Sequence, residues 1–206
     1  MTVVEPSRGP VGKWTALMPP DPPDSRDIFD DVVHYVRVLA DVAAILEREQ
    51  LLTPQRVHCA DWVHWNEPLK LVRASRPPAT LDWGDLPRLE NGEVLFDRAR
   101  RTVPLQISVR GVGVVHDEYG TAVEIRDAVW ISYYYFVQPY LSVQTQTDAW
   151  LPRDLDGAEQ PVVYAANRDR LARGLAAVQA FLREPLEPEE DLKFCTADGF
   201  YLQNDP

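Results

Sequence analysis

The feature that most constrains the fold is a long run of strand-like alternation between residues 103 and 147. From Val103 to Arg110, apolar residues alternate with more polar ones, which is the period of a strand with one buried face. The stretch WISYYYFVQPYLSVQTQTDAWLP (130–152) then continues the strand-like composition. Consecutive strands joined by short turns predict an antiparallel sheet.

The tyrosine run inside this region has two interpretations. Both alternating sets of residues in 129–137 are largely apolar, which predicts a central strand that is covered on both faces. From Tyr140 the alternation returns, so the next strand is expected to have one wet face. One face of the run carries Trp130, Tyr134, Phe136 and Tyr140. This face is either packed core or an exposed aromatic patch, which would be a binding surface.

Two amphipathic helices flank the strands. The first is expected to begin at Asp24 or Ser25, and the second is expected to follow a cap at Asn167. The predicted fold is therefore α+β: an antiparallel β-sheet of about five to seven strands with an N-terminal and a C-terminal helix packed on one face.

The chain divides into an arm and a single domain. Residues 1–23 carry six prolines and are expected to form an extended or disordered arm. Residues 24–206 are expected to be one α+β domain, because 206 residues suffice for a single well-filled core. Its last part, 186–206, is an acidic and aromatic tail that we expect to dock, in the manner of an edge strand.

The charge balance excludes some partners and favours others. A net charge of −11 disfavours nucleic acid and anionic lipid, because binding them requires clustered lysine and arginine. No window of 18 apolar residues is present and the N-terminus lacks signal-peptide order, so we expect a soluble, cytoplasmic protein without a membrane partner. An acidic surface also favours association with a basic protein.

The two cysteines lie far apart in the sequence, at Cys59 and Cys195. A secreted disulfide scaffold of this size would carry more cysteines, so free thiols in a reducing compartment are expected. A single bridge between the tail and an early strand is the alternative.

The segment VHCADWVHW holds the densest cluster of reactive side chains: His58, Cys59, Asp61 and His64. On a regular strand the two histidines would be roughly 20 Å apart, too far to share one metal ion. A bulge near Asp61 would be needed to form a site. These four residues are weak catalytic candidates, and no metal ion or cofactor is predicted, since phosphate-loop, dinucleotide, nucleophile-elbow and metalloprotease motifs are absent.

The function predicted from these observations is a non-enzymatic module that masks or chaperones a protein partner, similar in type to immunity proteins or secretion chaperones. One alternative is a small enzyme or a metal- or ligand-binding domain, with a site at the 58–64 cluster or in a cleft between the aromatic residues. A homodimer through the aromatic face is a further alternative. The predicted partner-binding residues are Trp130, Tyr134, Tyr140, Trp150, Glu187, Glu189, Glu190 and Asp191.

Overall fold

The structure is a computed structural model that describes residues 10–18, 28–66, 70–74, 76–90, 102–135, 138–190, 192 and 195–204. The helices are α1 (Ile28–Arg48), α2 (Leu86–Glu90) and α3 (Pro161–Leu182). The strands are β1 (Gly12–Leu17), β2 (Thr53–Asn66), β3 (Lys70–Arg73), β4 (Ala79–Asp82), β5 (Thr102–His116), β6 (Ala122–Arg126), β7 (Val129–Tyr134), β8 (Tyr140–Thr145), β9 (Glu187–Pro188), β10 (Cys195–Asp198) and β11 (Tyr201–Asn204).

The predicted antiparallel sheet and α+β class are confirmed. Nine of the described strands form one sheet, with the path β3-β2-β5-β7-β8-β1-β9, and every pairing in it is antiparallel. The long strands β2 and β5 pair with each other, and each pairs along its other edge with two shorter strands in succession. β7 lies between β5 and β8, which is the central position that its apolar composition predicts.

The two faces of the sheet differ in what covers them. The face that carries Ile107, Ile131 and Tyr133 packs on α1, where Tyr35 stacks on Tyr133 with ring centroids 4.0 Å apart. Such an aromatic pair adds about 0.5–1.5 kcal/mol to the gain from burial. The helices α2 and α3 both contact α1, so the described helices gather on this side, which we call the helix face.

The second long helix begins earlier than the sequence predicts. α3 starts with a proline at Pro161 rather than after a cap at Asn167, and Pro is favoured at the first helical position. Asn167 is instead fully buried inside the helix, where its amide accepts a hydrogen bond from the backbone N–H of His116 at 2.9 Å and donates to the carbonyl of His116 at 2.8 Å. This contact ties the helix to the end of β5.

Within the predicted proline-rich arm, the structure describes one extended segment, the strand β1. β1 lies between β8 and β9, with Trp14 paired to Val143. The Trp14 indole is buried and donates a hydrogen bond to the carbonyl of Gly199 at 2.8 Å. The alternation from Gly12 to Leu17 contains no proline, so every residue can join the sheet. Residues 1–9 and 19–27 lie outside the described residues, as does the predicted start of α1.

The C-terminal tail closes the sheet edge and one end of the core. β9 pairs with β1, and β10 and β11 form a separate hairpin. The thiol of Cys195 lies 2.7 Å from the carbonyl of Val11 and donates to it.

Among the described helices, none combines the length and apolar character that a membrane crossing requires.

Candidate functional site

A row of small polar side chains crosses the face opposite the helices, which we call the polar face. Strand register places His58 beside Ser108, Ser108 beside Ser132, Ser132 beside Ser142, and Ser142 beside Thr15. Larger side chains at the alternate positions stand on either side of this row. Because the alternate positions of paired strands share one face, the polar face extends over β2, β5, β7, β8 and β1.

Hydrogen bonds fix the serine row to its neighbours. The hydroxyl of Ser132 donates to that of Ser108 at 2.9 Å, and all three serines are buried despite lying on this face. The amide of Gln106 donates to the hydroxyl of Tyr134 at 2.9 Å, and the amide of Gln144 donates to Ser142 at 3.1 Å. The face expected to be wet on β8 is therefore polar, yet its side chains are largely withdrawn from solvent.

The predicted aromatic residues of this face each stack on a neighbouring side chain. Tyr134 and Tyr140 stack with ring centroids 4.7 Å apart, and both are half-buried. Burial raises the pKa of Tyr140, and the neighbouring Tyr134 and Glu189 raise it further. The guanidinium of Arg110 lies 3.7 Å above the ring of Trp130. Each aromatic side chain of the row is thus held by a ring or guanidinium partner.

Acidic residues border the polar face at the far edge of the sheet. Glu187 pairs with Thr15 through β9, and the backbone N–H of Glu189 donates to the carbonyl of Lys13 at 2.9 Å. The ammonium of Lys13 forms an ion pair with the carboxylate of Glu189. Glu190 is exposed, and Asp191 lies outside the described residues. Three of the four predicted acidic residues, Glu187, Glu189 and Glu190, are therefore placed at the sheet edge next to the aromatic row.

A cavity of about 110 Å³ opens at the opposite end of the polar face. It lies where two strands are irregular: the β2–β5 register shifts between Pro54 and Arg56, and β6 breaks from β7 at Asp127, which has a φ of 57°. Non-glycine residues in this conformation and strand bulges often occur beside binding sites. The lining residues are Gln55, Arg56, His58, Thr80, Arg110, Gly111, Arg126 and Asp127.

The four weak catalytic candidates are not brought together. His58 is hydrogen-bonded to Thr80 through Nδ1 at 3.0 Å, whereas His64 is hydrogen-bonded to Thr102 through Nδ1 at 2.9 Å. Cys59 is buried, and Asp61 is exposed with a φ of 51°. No group of three metal-binding side chains forms among the residues that the structure describes.

Burial also limits the reactivity of the candidates. It raises the pKa of the Cys59 thiol to about 12, an effect that the charge of Arg76 only partly offsets. Burial lowers the pKa of His58, and the charge of Arg110 lowers it further, so the imidazole is mainly neutral at pH 7. A thiol that stays protonated is a poor nucleophile.

One predicted anchor lies away from the polar face, and one cluster was not predicted. Trp150 is 1% exposed in a short 3-10 turn that packs on α3, so it offers no surface for a partner. The cluster of Arg56, Arg110 and Arg126 was missed because its members are 16 to 70 positions apart in sequence. Each arginine occupies a polar position in the alternating pattern of its own strand, which was the available signal. The pattern does not show that the three are neighbours until the strand register is known.

The chain has no significant match among protein-family models, curated proteins or solved structures.

Proposed function

We propose that this chain is a non-enzymatic binding module that engages a partner protein through the polar face of its sheet. The observation that carries the proposal is the row of half-buried aromatic side chains, Trp130, Tyr134 and Tyr140, on the side opposite the described helices. Aromatic residues contribute more than most to the free energy of protein interfaces.

The arrangement of the aromatic row supports binding because its side chains are already held in place. Tyr134 is fixed by its stack on Tyr140 and by the hydrogen bond from Gln106. Trp130 is fixed by the guanidinium of Arg110. Side chains that are ordered before association lose less conformational entropy when the complex forms.

The charge of the chain favours a partner with a basic surface. The net charge is −11, and Glu187 and Glu190 are exposed at the edge next to the aromatic row. Among the described residues of this edge, Glu189 is the one carboxylate paired with a lysine, through Lys13. Such a field would accelerate association with a basic protein and would make the complex sensitive to salt.

The test is affinity capture from the lysate of the cells that produce the protein, at low and at high salt, with the retained proteins identified by mass spectrometry. Three baits are compared: the native chain, the variant Tyr140→Ala, and the matched control Tyr119→Ala. Tyr119 is 83% exposed at the turn between β5 and β6, away from the aromatic row.

We expect one basic protein to be retained stoichiometrically by the native chain and by the control, to be lost with Tyr140→Ala, and to be released by salt. Equal retention by all three baits would place the contact elsewhere. No stoichiometric protein on any bait would contradict the proposal.

A further inference from the structure

The cavity at the arginine end of the polar face has a charge opposite to that of the whole chain. Among the described residues that line it, three are arginines, Arg56, Arg110 and Arg126, and one carries a carboxylate, Asp127, so their formal charges sum to two positives. The chain as a whole carries −11. Solubility does not explain a positively charged cavity in an acidic protein, whereas binding of an anionic ligand would.

Strand pairing places two of these arginines at directly opposite positions. Arg56 and Arg110 are directly opposite each other on β2 and β5, and like charges in that position destabilise a sheet. Arg126 approaches from β6, which pairs with the next part of β5. Within the described residues, none of the three guanidinium groups forms an ion pair with a carboxylate. An anion in the cavity would relieve this repulsion.

The side chain of Arg110 is oriented for such a ligand. The Cζ atom of its guanidinium lies 3.7 Å from the ring centroid of Trp130, and its Nε is buried without a hydrogen-bond acceptor among the described residues. A planar guanidinium presents its N–H groups in a fork that matches two oxygens of an oxyanion. Thr80 and His58, which are hydrogen-bonded to each other, add neutral polar groups to the wall.

We propose that this cavity is a binding site for a single phosphate group, held by Arg56, Arg110 and Arg126. The net charge of two positives matches a phosphate dianion better than a carboxylate monoanion. The volume of about 110 Å³ accommodates one phosphate group. It is smaller than the roughly 300 Å³ at which pockets for larger organic ligands begin. Arg110 also contacts Trp130 of the aromatic row, but phosphate binding is measured without a partner protein, so its outcome is separate from that of the proposed function.

The test is calorimetric titration of the full chain with inorganic phosphate and, separately, with ethyl phosphate and acetate, at constant ionic strength set with chloride. The variants are Arg56→Gln and Arg126→Gln, both at exposed positions. The matched control is Arg37→Gln, which removes the same charge from an exposed position on α1.

We expect saturable phosphate binding, weakened about tenfold or more by either cavity variant, because one charge-assisted hydrogen bond is lost, and unchanged in the control. If ethyl phosphate binds at least as tightly as inorganic phosphate, the ligand is a phosphate monoester. If only inorganic phosphate binds, the ligand is the free phosphate ion. The proposal is overturned if no saturable heat is seen up to about 10 mM. It is also overturned if acetate competes equally, or if Arg37→Gln weakens binding as much as the cavity variants.

Discussion

The thiol of Cys59 shows how burial decides chemistry at the scale of one residue. It lies on the helix face, paired with Ile107, and no part of its surface is exposed. Burial raises its pKa to about 12, so the thiolate required for nucleophilic attack is scarce at physiological pH. Its sequence neighbour His58 lies on the opposite face, as the alternation of a strand requires.

Both cysteines should resist thiol reagents in the native protein. Neither Cys59 nor Cys195 is in a disulfide, both are buried, and the high pKa of Cys59 keeps it protonated. We expect Ellman's reagent at pH 8 to titrate no thiol rapidly in the folded chain and both thiols after denaturation. A fast native thiol would show that one of them is accessible, and a total below two in denaturant would indicate a disulfide.

The stability of the fold should depend on pH through His58. Burial and the charge of Arg110 lower the pKa of His58 in the folded state. As the pH falls, this histidine therefore becomes protonated in the unfolded chain at a higher pH than in the folded chain. Stability should therefore decrease as the pH is lowered through about 6.5, the ordinary histidine value. We expect urea midpoints of the native chain to fall more than those of His58→Gln between about pH 8 and pH 5.5. Parallel pH profiles would contradict this assignment.

At the scale of elements, Asn167 joins α3 to the sheet. In addition to its two hydrogen bonds with His116, its amide donates to the carbonyl of Val163 at 2.7 Å. The guanidinium of Arg170 donates to the same amide oxygen at 2.9 Å and to the carbonyl of Val114 at 2.6 Å. One buried amide therefore connects two turns of the helix with the end of β5.

Replacement of this amide should cost more than replacement of an exposed one. Asn167→Ala would leave the N–H and carbonyl of His116 without their partner, which predicts a loss of about 2–4 kcal/mol in the free energy of unfolding. Asn204 makes a similar two-bond contact with the backbone of Arg153 at an exposed site, so Asn204→Ala should cost about 1 kcal/mol or less. Chemical denaturation of both variants measures the difference. Equal losses would refute the structural role of Asn167.

The pairing of β2 with β5 depends on Gly111, which has no side chain and lies opposite Pro54. A Cβ added at Gly111 would lie 1.9 Å from the carbonyl oxygen of Thr53, which is backbone and cannot move aside cheaply. We expect Gly111→Ala to lower the unfolding free energy by about 3 kcal/mol or to prevent folding. Gly84→Ala is the control, because nothing lies within 4 Å of its added Cβ, and its thermal midpoint should be unchanged or slightly higher. A stable Gly111→Ala variant would mean that the two strands are further apart.

Some elements could be predicted from the sequence because their signals are local. The alternation of β5 and the pattern of Ala122–Arg126 depend only on neighbouring residues, and both strands form. The start of α3 could not be placed, because asparagine favours a cap locally while Asn167 is held inside the helix by a strand 51 positions away. The arginine cluster likewise requires the register between β2, β5 and β6, which no local pattern encodes.

At the scale of the whole molecule, the two faces of the sheet differ in composition. Its helix face contains the core, with α1 packed through Tyr35, whereas its polar face runs from the arginine cavity past the aromatic row to the acidic edge at Glu187. Such a face is positively charged at one end and negatively charged at the other. We propose that this polarity would orient a partner protein, with its basic surface at the β9 edge.

The measurement that tests the central claim most directly is the dissociation constant of the captured partner for purified native chain, Tyr134→Ala, Tyr140→Ala and the control Tyr119→Ala, with the thermal midpoint of each variant measured alongside. We predict that either aromatic-row variant weakens the complex about tenfold or more while it stays folded, and that the control changes the affinity less than about twofold. If both aromatic-row variants stay folded and bind with native affinity, the polar face is not the binding surface.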